Sequence, residues 1–196
     1  MKHFTKCTCF LLCLFIFLPI ISGCSKSYKS NYPVDDFFDE ISDKQNFTLT
    51  YTQTYNSEKY NNCEVIKIKF TKNRMEMEEG ESNGIRFIVD YKGNKTYCYD
   101  YDYKSKKWEK AEVDAEDYDI ETVLSMFSAL SAMTSVLEYD NIEKCYKGKS
   151  ERSEIIIRFQ GESVYMSSST KNLKDEFLFE KIGGTRISLP NAKDIK

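Results

Sequence analysis

FTLTYTQTY, residues 47–55, alternates Phe47, Leu49, Tyr51 and Tyr55 with four threonines. Successive side chains of a β-strand point to opposite faces of the sheet, so this period of two predicts a strand with one apolar face and one polar face. Threonine and aromatic residues are also frequent in strands. The stretch therefore predicts a sheet that is buried on one side.

The period of two recurs through most of the chain that follows. Short alternating runs are separated by turn signals, among them Gly80 to Gly84 and Lys92-Gly93-Asn94. This spacing is typical of an antiparallel meander with one buried and one wet face. About eleven strands are predicted, at residues 47–55, 66–70, 74–78, 85–91, 97–104 and 107–113, and then at 138–146, 153–160, 163–169, 175–181 and 185–189.

Two segments have helical spacing instead. Residues 33–44 begin with a proline and two early aspartates, and their apolar positions are Val34, Phe37, Phe38 and Ile41. Residues 119–137, DIETVLSMFSALSAMTSVL, carry no charge after Glu121. A helix with so little polarity is expected to be buried on most sides or to face a cavity.

The first 23 residues have the features of a secretory leader. Two lysines precede an apolar run at 10–21, which is shorter than the roughly 20 residues that a membrane-spanning helix needs. The run closes on Ile21-Ser22-Gly23-Cys24, which resembles the bacterial lipobox. The resemblance implies removal of residues 1–23 and a diacylglycerol on the sulfur of Cys24. An ordinary signal peptide or an uncleaved anchor are the alternatives.

A lipidated Cys24 would hold the protein on the extracytoplasmic face of the bacterial cell membrane. Residues 24–32 then form a polar, lipidated tether. One domain is expected at 33–190, and residues 191–196 are expected to be a loose tail.

Charge and histidine content exclude several classes of function. The 196-residue chain has 28 basic and 31 acidic side chains, and removal of the leader takes two lysines and leaves a net charge of −5. Such a balance does not suit nucleic acid as a partner. The only histidine, His3, lies in the leader, which removes Ser-His-Asp and Cys-His catalysis and histidine-containing zinc sites. We therefore expect no enzyme, no catalytic residue, no metal and no cofactor.

Three cysteines remain after the leader and Cys24 are set aside. Cys63, Cys98 and Cys145 are an odd number, so one pair could form a disulfide and leave a free thiol, or all three could be small buried apolar residues. The sequence favours the second alternative and does not select a pair.

The order of helix, about six strands, helix and about five strands resembles the LolA- and LppX-like lipoprotein-carrier family. The resemblance rests on the lipobox, the tyrosine-rich strand leading into Lys106-Lys107-Trp108-Glu109-Lys110, the Ser/Ala/Met-rich helix, and the ending from Phe177-Leu178-Phe179-Glu180 to Leu189-Pro190. It implies an α+β, mainly β fold, in which a strongly curved antiparallel sheet, an incomplete β-barrel, holds helices in its concave face. It also implies binding of acyl chains or lipidated proteins between sheet and helices.

The candidate ligand-contacting residues are three tyrosines of one strand and four side chains of the second helix. They are Tyr97, Tyr99, Tyr101, Met126, Phe127, Leu130 and Met133. The tyrosines could line the rim of an apolar pocket or simply pack across strands. The helix could line a cavity, where methionine adapts to irregular ligands, or could fill the core of the sheet.

The expected function is that of a membrane-anchored lipoprotein that binds a lipid, a lipidated peptide or another apolar ligand between sheet and helix. The alternative is an envelope protein-interaction or assembly module without a small-molecule ligand. A cavity under the helix favours the first function, and a filled core favours the second.

Overall fold

The computed structural model describes residues 34–57, 61–80, 84–114, 137–149 and 153–196. These residues form one α-helix and one antiparallel sheet of eleven strands. The prediction of a mainly β fold is therefore confirmed, and the sheet is open within the described residues.

The helix, α1, spans Val34–Lys44, close to the predicted range of 33–44. The strands are β1 (Phe47–Asn56), β2 (Asn61–Thr71), β3 (Arg74–Glu79), β4 (Ile85–Lys92), β5 (Lys95–Asp102), β6 (Lys107–Val113), β7 (Glu138–Asp140), β8 (Cys145–Lys149), β9 (Glu154–Gln160), β10 (Ser163–Ser169) and β11 (Leu173–Glu180). A short 3-10 turn, Ala192–Asp194, lies near the C-terminus.

The strand order is β6-β5-β4-β3-β2-β1-β11-β10-β9-β8-β7. Strands β1–β6 form one meander and β7–β11 form a second, because within each of them every strand pairs with its neighbour in sequence. The pairing of β1 with β11, here called the seam, joins the two meanders and runs from Thr48–Glu180 to Tyr55–Leu173. The edge strands are β6 and β7.

One sheet face carries the main core, here called the apolar layer. The alternating residues of β1 and β2 meet there in register, as in the stacked pair Phe47 and Phe70, whose ring centroids are 5.3 Å apart. Helix α1 lies on this face and buries its four apolar positions. Phe37 of α1 contacts Phe179 of β11 at 5.2 Å and Phe159 of β9 at 6.1 Å. The apolar side chains of the helix, spaced by its 3.6-residue period, and those of the strands, spaced by a period of two, therefore pack into one core.

The predicted strand at 138–146 is two strands and a turn. Asp140 ends β7, and its side-chain Oδ1 accepts hydrogen bonds from the backbone N–H groups of Ile142 and Glu143 at 2.9 and 3.0 Å. Lys144 has a φ of 51°, a left-handed conformation that a continuous strand does not contain. An aspartate that binds the backbone two and three residues ahead favours a turn over a strand.

The predicted strand at 185–189 is absent from the described sheet. Residues 185–196, here called the C-terminal segment, instead cross the sheet face opposite to the apolar layer. Ile187 is buried there against Ile88 and Tyr99, and its carbonyl oxygen accepts a hydrogen bond from Arg74 Nη1 at 3.0 Å. Apolar residues do alternate in this segment, but its backbone accepts a hydrogen bond from the Arg74 side chain and does not pair with a neighbouring strand.

Residues 191–196, which we expected to be loose, are attached to β6. Ile195 forms a parallel bridge with Trp108, and the backbone N–H of Lys196 donates to the Trp108 carbonyl at 2.8 Å. Lys107 Nζ also donates to the carbonyl of Lys193 at 2.9 Å. The C-terminus is therefore part of the folded domain, and that prediction is wrong.

The leader, Cys24, the tether and all but the last residue of 119–137 lie outside the described residues. The predictions for Met126, Phe127, Leu130 and Met133 therefore stay predictions. None of the helices in the part of the chain that the structure describes is long and apolar enough to span a membrane.

Candidate functional site

The three candidate tyrosines lie on the sheet face opposite to α1. Register places Tyr97 beside Asp90 and Tyr99 beside Ile88, whereas Cys98 between them pairs with Val89 of the apolar layer. Tyr99 is buried in a small cluster with Ile88 and Ile187. The structure thus brings Tyr97, Tyr99 and Tyr101 together as one ladder, but on the face that the C-terminal segment crosses. They therefore lie away from the sheet face that α1 covers.

Cations lie over the aromatic rings of this tyrosine ladder. Lys110 Nζ is 4.2 Å from the centroid of Tyr97, and Arg86 Cζ is 5.4 Å from the ring of Trp108. The Trp108 and Tyr101 centroids are 5.0 Å apart. Cation–π contacts of this kind stabilise a fold as well as ligands. Here they favour cross-strand packing, the second of the two alternatives for the ladder.

A buried carboxylate lies on the same face, at the centre of β3. Glu76 is 5% exposed, and its two oxygens accept hydrogen bonds from Lys69 Nζ at 2.8 Å and Arg86 Nη2 at 2.9 Å. Burial raises the pKa of Glu76, but the hydrogen bonds and charges of Lys69 and Arg86 outweigh it, so the net shift is downward. The cluster ties β2, β3 and β4 together.

A second buried carboxylate, Asp175 of β11, lies at the edge of the apolar layer. Its Oδ1 accepts hydrogen bonds from Tyr51 Oη at 2.7 Å and Gln53 Nε2 at 2.9 Å, across the seam. Asp175 is 5% exposed. Its partners are neutral donors, so the group is held by hydrogen bonds rather than by an ion pair. It supplies the polar end of an otherwise apolar face.

A cleft of about 760 Å³ opens where the end of α1, the β2–β3 turn, the end of β4 and the C-terminal segment meet. Its walls are the end of α1 with Asn46, the β2–β3 turn with the end of β4, and residues 186–189. Its residues are Lys44, Asn46, Thr71, Lys72, Asn73, Arg74, Asp90, Tyr91, Lys92, Arg186, Ile187, Ser188 and Leu189. Because five of them are cationic and one is anionic, we call it the basic cleft. Its volume lies within the range of small-molecule sites.

A smaller cleft of about 400 Å³ lies at the other end of β4 and has the opposite charge. It is lined by Asp100, Asp102 and Glu109, with Lys104 as its cationic residue. The protein as a whole is acidic, with a net charge of −3. The concentration of cations in the basic cleft is therefore a local feature and does not reflect composition.

The comparisons with known proteins add nothing to this geometry. No protein-family model matches the chain. A search of curated proteins finds no match either.

The three cysteines are not disulfide-bonded. Cys98 and Cys145 are buried, as expected of small apolar residues, whereas Cys63 is exposed on β2. Within the described ranges, no group of three or more His, Cys, Asp or Glu side chains could hold a metal ion.

Sequence reasoning missed the basic cleft. Lys72, Lys92 and Arg186 are far apart in sequence and lie in a turn, at the end of a strand and in an irregular segment, where a lysine or arginine is normally solvated. A signal existed in Lys72 of the β2–β3 turn and Lys92 just before the β4–β5 turn, because these two turns lie at the same end of the sheet. The contribution of Arg186 depends on the path of the C-terminal segment, which the strand prediction had wrong.

Proposed function

We propose that this chain is a membrane-anchored extracytoplasmic lipoprotein that holds the acyl chain of a lipid or lipidated peptide between its sheet and its helices. The observation that carries the proposal is the apolar layer, which extends from β9 across the seam to β5 on one face of an open sheet. Cys24 supplies the anchor in this proposal. Two acyl chains on one residue meet the requirement for stable membrane attachment.

Helix α1 packs on the side of the apolar layer that β9 and β11 form. Its aromatic contacts are with Phe159 of β9 and Phe179 of β11. Strands β3 to β5 continue the layer on the other side of the seam with Met75, Met77, Phe87, Val89 and Cys98. Two methionines in this half suit an irregular apolar ligand, because their side chains are flexible and polarizable.

Both ends of the connection between β6 and β7 lie on the apolar layer. Val113 is packed against it at one edge of the sheet, and Leu137 is buried in it next to the other edge. We propose that segment 119–137 crosses this face as a second helix, in the concave side of a curved sheet. Met126, Phe127, Leu130 and Met133 would then face β3 to β5, with the acyl chain between. Burial would contribute about 0.8 kcal/mol per methylene group.

Native mass spectrometry of residues 25–196, secreted without the anchor and gently purified, tests the proposal directly. We expect a stoichiometric adduct that dissociates as a lipid. The matched control is the same chain after extraction with organic solvent and refolding, which should regain the adduct when fatty acid is added. A protein that shows only its own mass in both preparations, and no saturable binding of a fluorescent fatty acid, contradicts acyl-chain binding.

Fluorescence quenching by a bromine-labelled fatty acid identifies the face that is occupied. Trp108, the only tryptophan, lies beside Tyr101 on the opposite face, and bromine quenches only at contact distance. A Phe87→Trp, Trp108→Phe variant places the reporter in the apolar layer instead. We expect quenching in the variant and little in the wild-type chain. Strong quenching of Trp108 would instead assign the ligand to the tyrosine ladder.

Replacement of the lipidated cysteine tests the anchor. Cys24→Ala is expected to leave the protein uncleaved or to release it from the membrane fraction. Cys63→Ala, which alters an exposed cysteine of β2, is the control and should remain anchored. Correct cleavage and full membrane retention of Cys24→Ala would argue against lipidation.

A second function, an envelope protein-interaction module, is favoured by one observation. The β7–β8 hairpin at the edge of the sheet exposes Ile142 to 92% and Tyr139 to 50% of their surface. Apolar side chains at a free sheet edge are typical of surfaces that add a strand or helix from a partner. Absence of bound lipid together with specific cross-links from Ile142→Cys on intact cells would support this function in place of lipid binding.

A further inference from the structure

The basic cleft has walls that are fixed relative to one another. Arg74 bonds to Asp90 through Nε at 2.7 Å and to the carbonyl of Ile187 through Nη1 at 3.0 Å, which joins the β3–β4 wall to the C-terminal segment. The side-chain Oδ1 of Asn46 accepts a hydrogen bond from the backbone N–H of Thr185 at 2.8 Å, and its Nδ2 donates to the Thr185 carbonyl at 3.2 Å. The N–H of Tyr91 donates to the carbonyl of Asn73 at 2.9 Å, which joins the two strand ends. Hydrogen bonds therefore connect the backbone segments that form the walls of the cleft.

Two of the five cations in the cleft already have partners. Arg74 is paired with Asp90, and Lys44 with Glu40 one turn earlier on α1. The other three, Lys72, Lys92 and Arg186, come one from each of three separate segments. Within the described residues they form no ion pair. Three cations that converge on one cleft repel one another, and the repulsion is relieved when an anion binds.

The remaining residues of the cleft indicate the kind of anion. Asn73 and Ser188 add neutral hydrogen-bond donors, and Ile187 and Leu189 add an apolar wall. Arginine and lysine with neutral donors are typical ligands of phosphate oxygens. A volume of about 760 Å³ also leaves room for an organic group beside the oxyanion.

We propose that the basic cleft is a phosphate-binding site, in which Lys72, Lys92 and Arg186 hold the phosphate oxygens and Ile187 and Leu189 contact the organic group that carries it. The phosphate could belong to a phospholipid headgroup or to a soluble phosphate compound. The site lies at one end of the sheet, beside the apolar layer and not within it, because the end of α1, the β2–β3 turn, the end of β4 and the C-terminal segment form it. It stands whether or not an acyl chain is bound between sheet and helix.

Isothermal titration of the full chain in non-ionic detergent tests the site. The probes are inorganic phosphate, monomeric dihexanoyl phosphatidylglycerol, and dihexanoyl phosphatidylcholine as the headgroup without net charge. The triple variant Lys72→Gln, Lys92→Gln, Arg186→Gln is expected to lose at least about tenfold in affinity for the anionic probes. The control variant Lys67→Gln, Lys149→Gln, Lys171→Gln removes the same charge from exposed positions outside the cleft and should stay within about twofold of the wild-type chain.

The relative affinities decide the source of the phosphate. Phosphatidylglycerol that binds at least about tenfold more tightly than inorganic phosphate supports a lipid headgroup, and equal affinities support a soluble phosphate compound. Failure of the wild-type chain to bind either anionic probe overturns the proposal. An equal loss in the control triple variant also overturns it, because binding then depends on net charge alone. The single variant Arg186→Gln, with its unfolding temperature measured, repeats the test at one exposed side chain.

Discussion

At the scale of single residues, Glu76 shows how a carboxylate is kept charged inside a sheet. Lys69 lies beside it on β2 and Arg86 lies diagonally across on β4, and both donate hydrogen bonds to it. Burial alone would raise the pKa of Glu76, and the hydrogen bonds and charges of the two cations outweigh it and lower the pKa. The arrangement links three strands through one side chain and makes their stability dependent on pH.

We expect Glu76→Gln to lower the free energy of unfolding at pH 7 by about 1–3 kcal/mol, since charge-assisted hydrogen bonds are lost. Because the folded pKa of Glu76 lies below its unfolded value of 4.5, its contribution is complete above that pH and is lost as the pH falls through the folded pKa. Urea denaturation from pH 7 to pH 3 should therefore show a weaker pH dependence in the variant. Glu162→Gln, in an exposed turn, is the control and should match the wild-type chain. Parallel pH profiles for wild type and Glu76→Gln would contradict the assigned role.

The tyrosine ladder marks the limit of prediction at this scale. Alternation correctly predicted that Tyr97, Tyr99 and Tyr101 share one face. It could not predict which face α1 would cover, because a period of two fixes only relative sides and both faces of β4 carry apolar residues. Ile88 on one face is 2% exposed, and Val89 on the other face is 0% exposed. The deciding contact, with Ile187, comes from a segment far away in sequence.

At the scale of elements, most strands follow from their own residues and the exceptions follow from contacts. Strands such as β6 and β10 have the predicted bounds of 107–113 and 163–169, because their alternation and turns are local signals. The C-terminal segment has the alternation of a strand without a neighbouring strand to pair with. Its place is set by Arg74 and Trp108, which sequence pattern alone does not connect with it.

Deletion of residues 191–196 tests the part that this segment plays. We expect the emission of Trp108 to shift to longer wavelength and its quenching by acrylamide to increase, because Ile195 no longer covers it. The free energy of unfolding should fall by about 1–3 kcal/mol, since backbone bonds to β6 and a small apolar contact are lost. Lys193→Ala, which keeps the carbonyl that Lys107 binds, should behave as wild type. Unchanged emission after the deletion would show that the segment does not cover Trp108.

At the scale of the whole molecule, one pairing between the described strands, the seam, is long-range in sequence. Every other strand pair joins neighbours in sequence, whereas the seam pairs Thr48 with Glu180. Sequence indicated the two meanders separately, but it gave no signal for the order in which they join. Such pairing requires closure of a long loop before its contacts form.

Refolding is expected to be limited by the seam. Single-domain folds with many non-local strand pairs refold in roughly milliseconds to seconds. We expect Trp108 fluorescence, which reports on β6 and the C-terminal segment, to recover in the same phase as the backbone signal of the whole sheet. Leu49→Ala at the seam should slow refolding, and Ile155→Ala on β9 should mainly speed unfolding. Recovery of the Trp108 signal well before the sheet signal would contradict a rate-limiting seam.

The seam also has a mechanical consequence. The chain enters β1 and leaves β11 at the same end of two adjacent antiparallel strands, at Thr48 and Glu180. If Cys24 anchors the chain as proposed, a pull between that anchor and a load on the C-terminus would first strain α1 and the C-terminal segment, which flank the two strands. It would then open the hydrogen bonds of the seam one pair at a time, as a zipper opens, rather than shear them together. A domain loaded at these two points would open at lower tension than one loaded in shear, and it would separate into its two meanders along the seam.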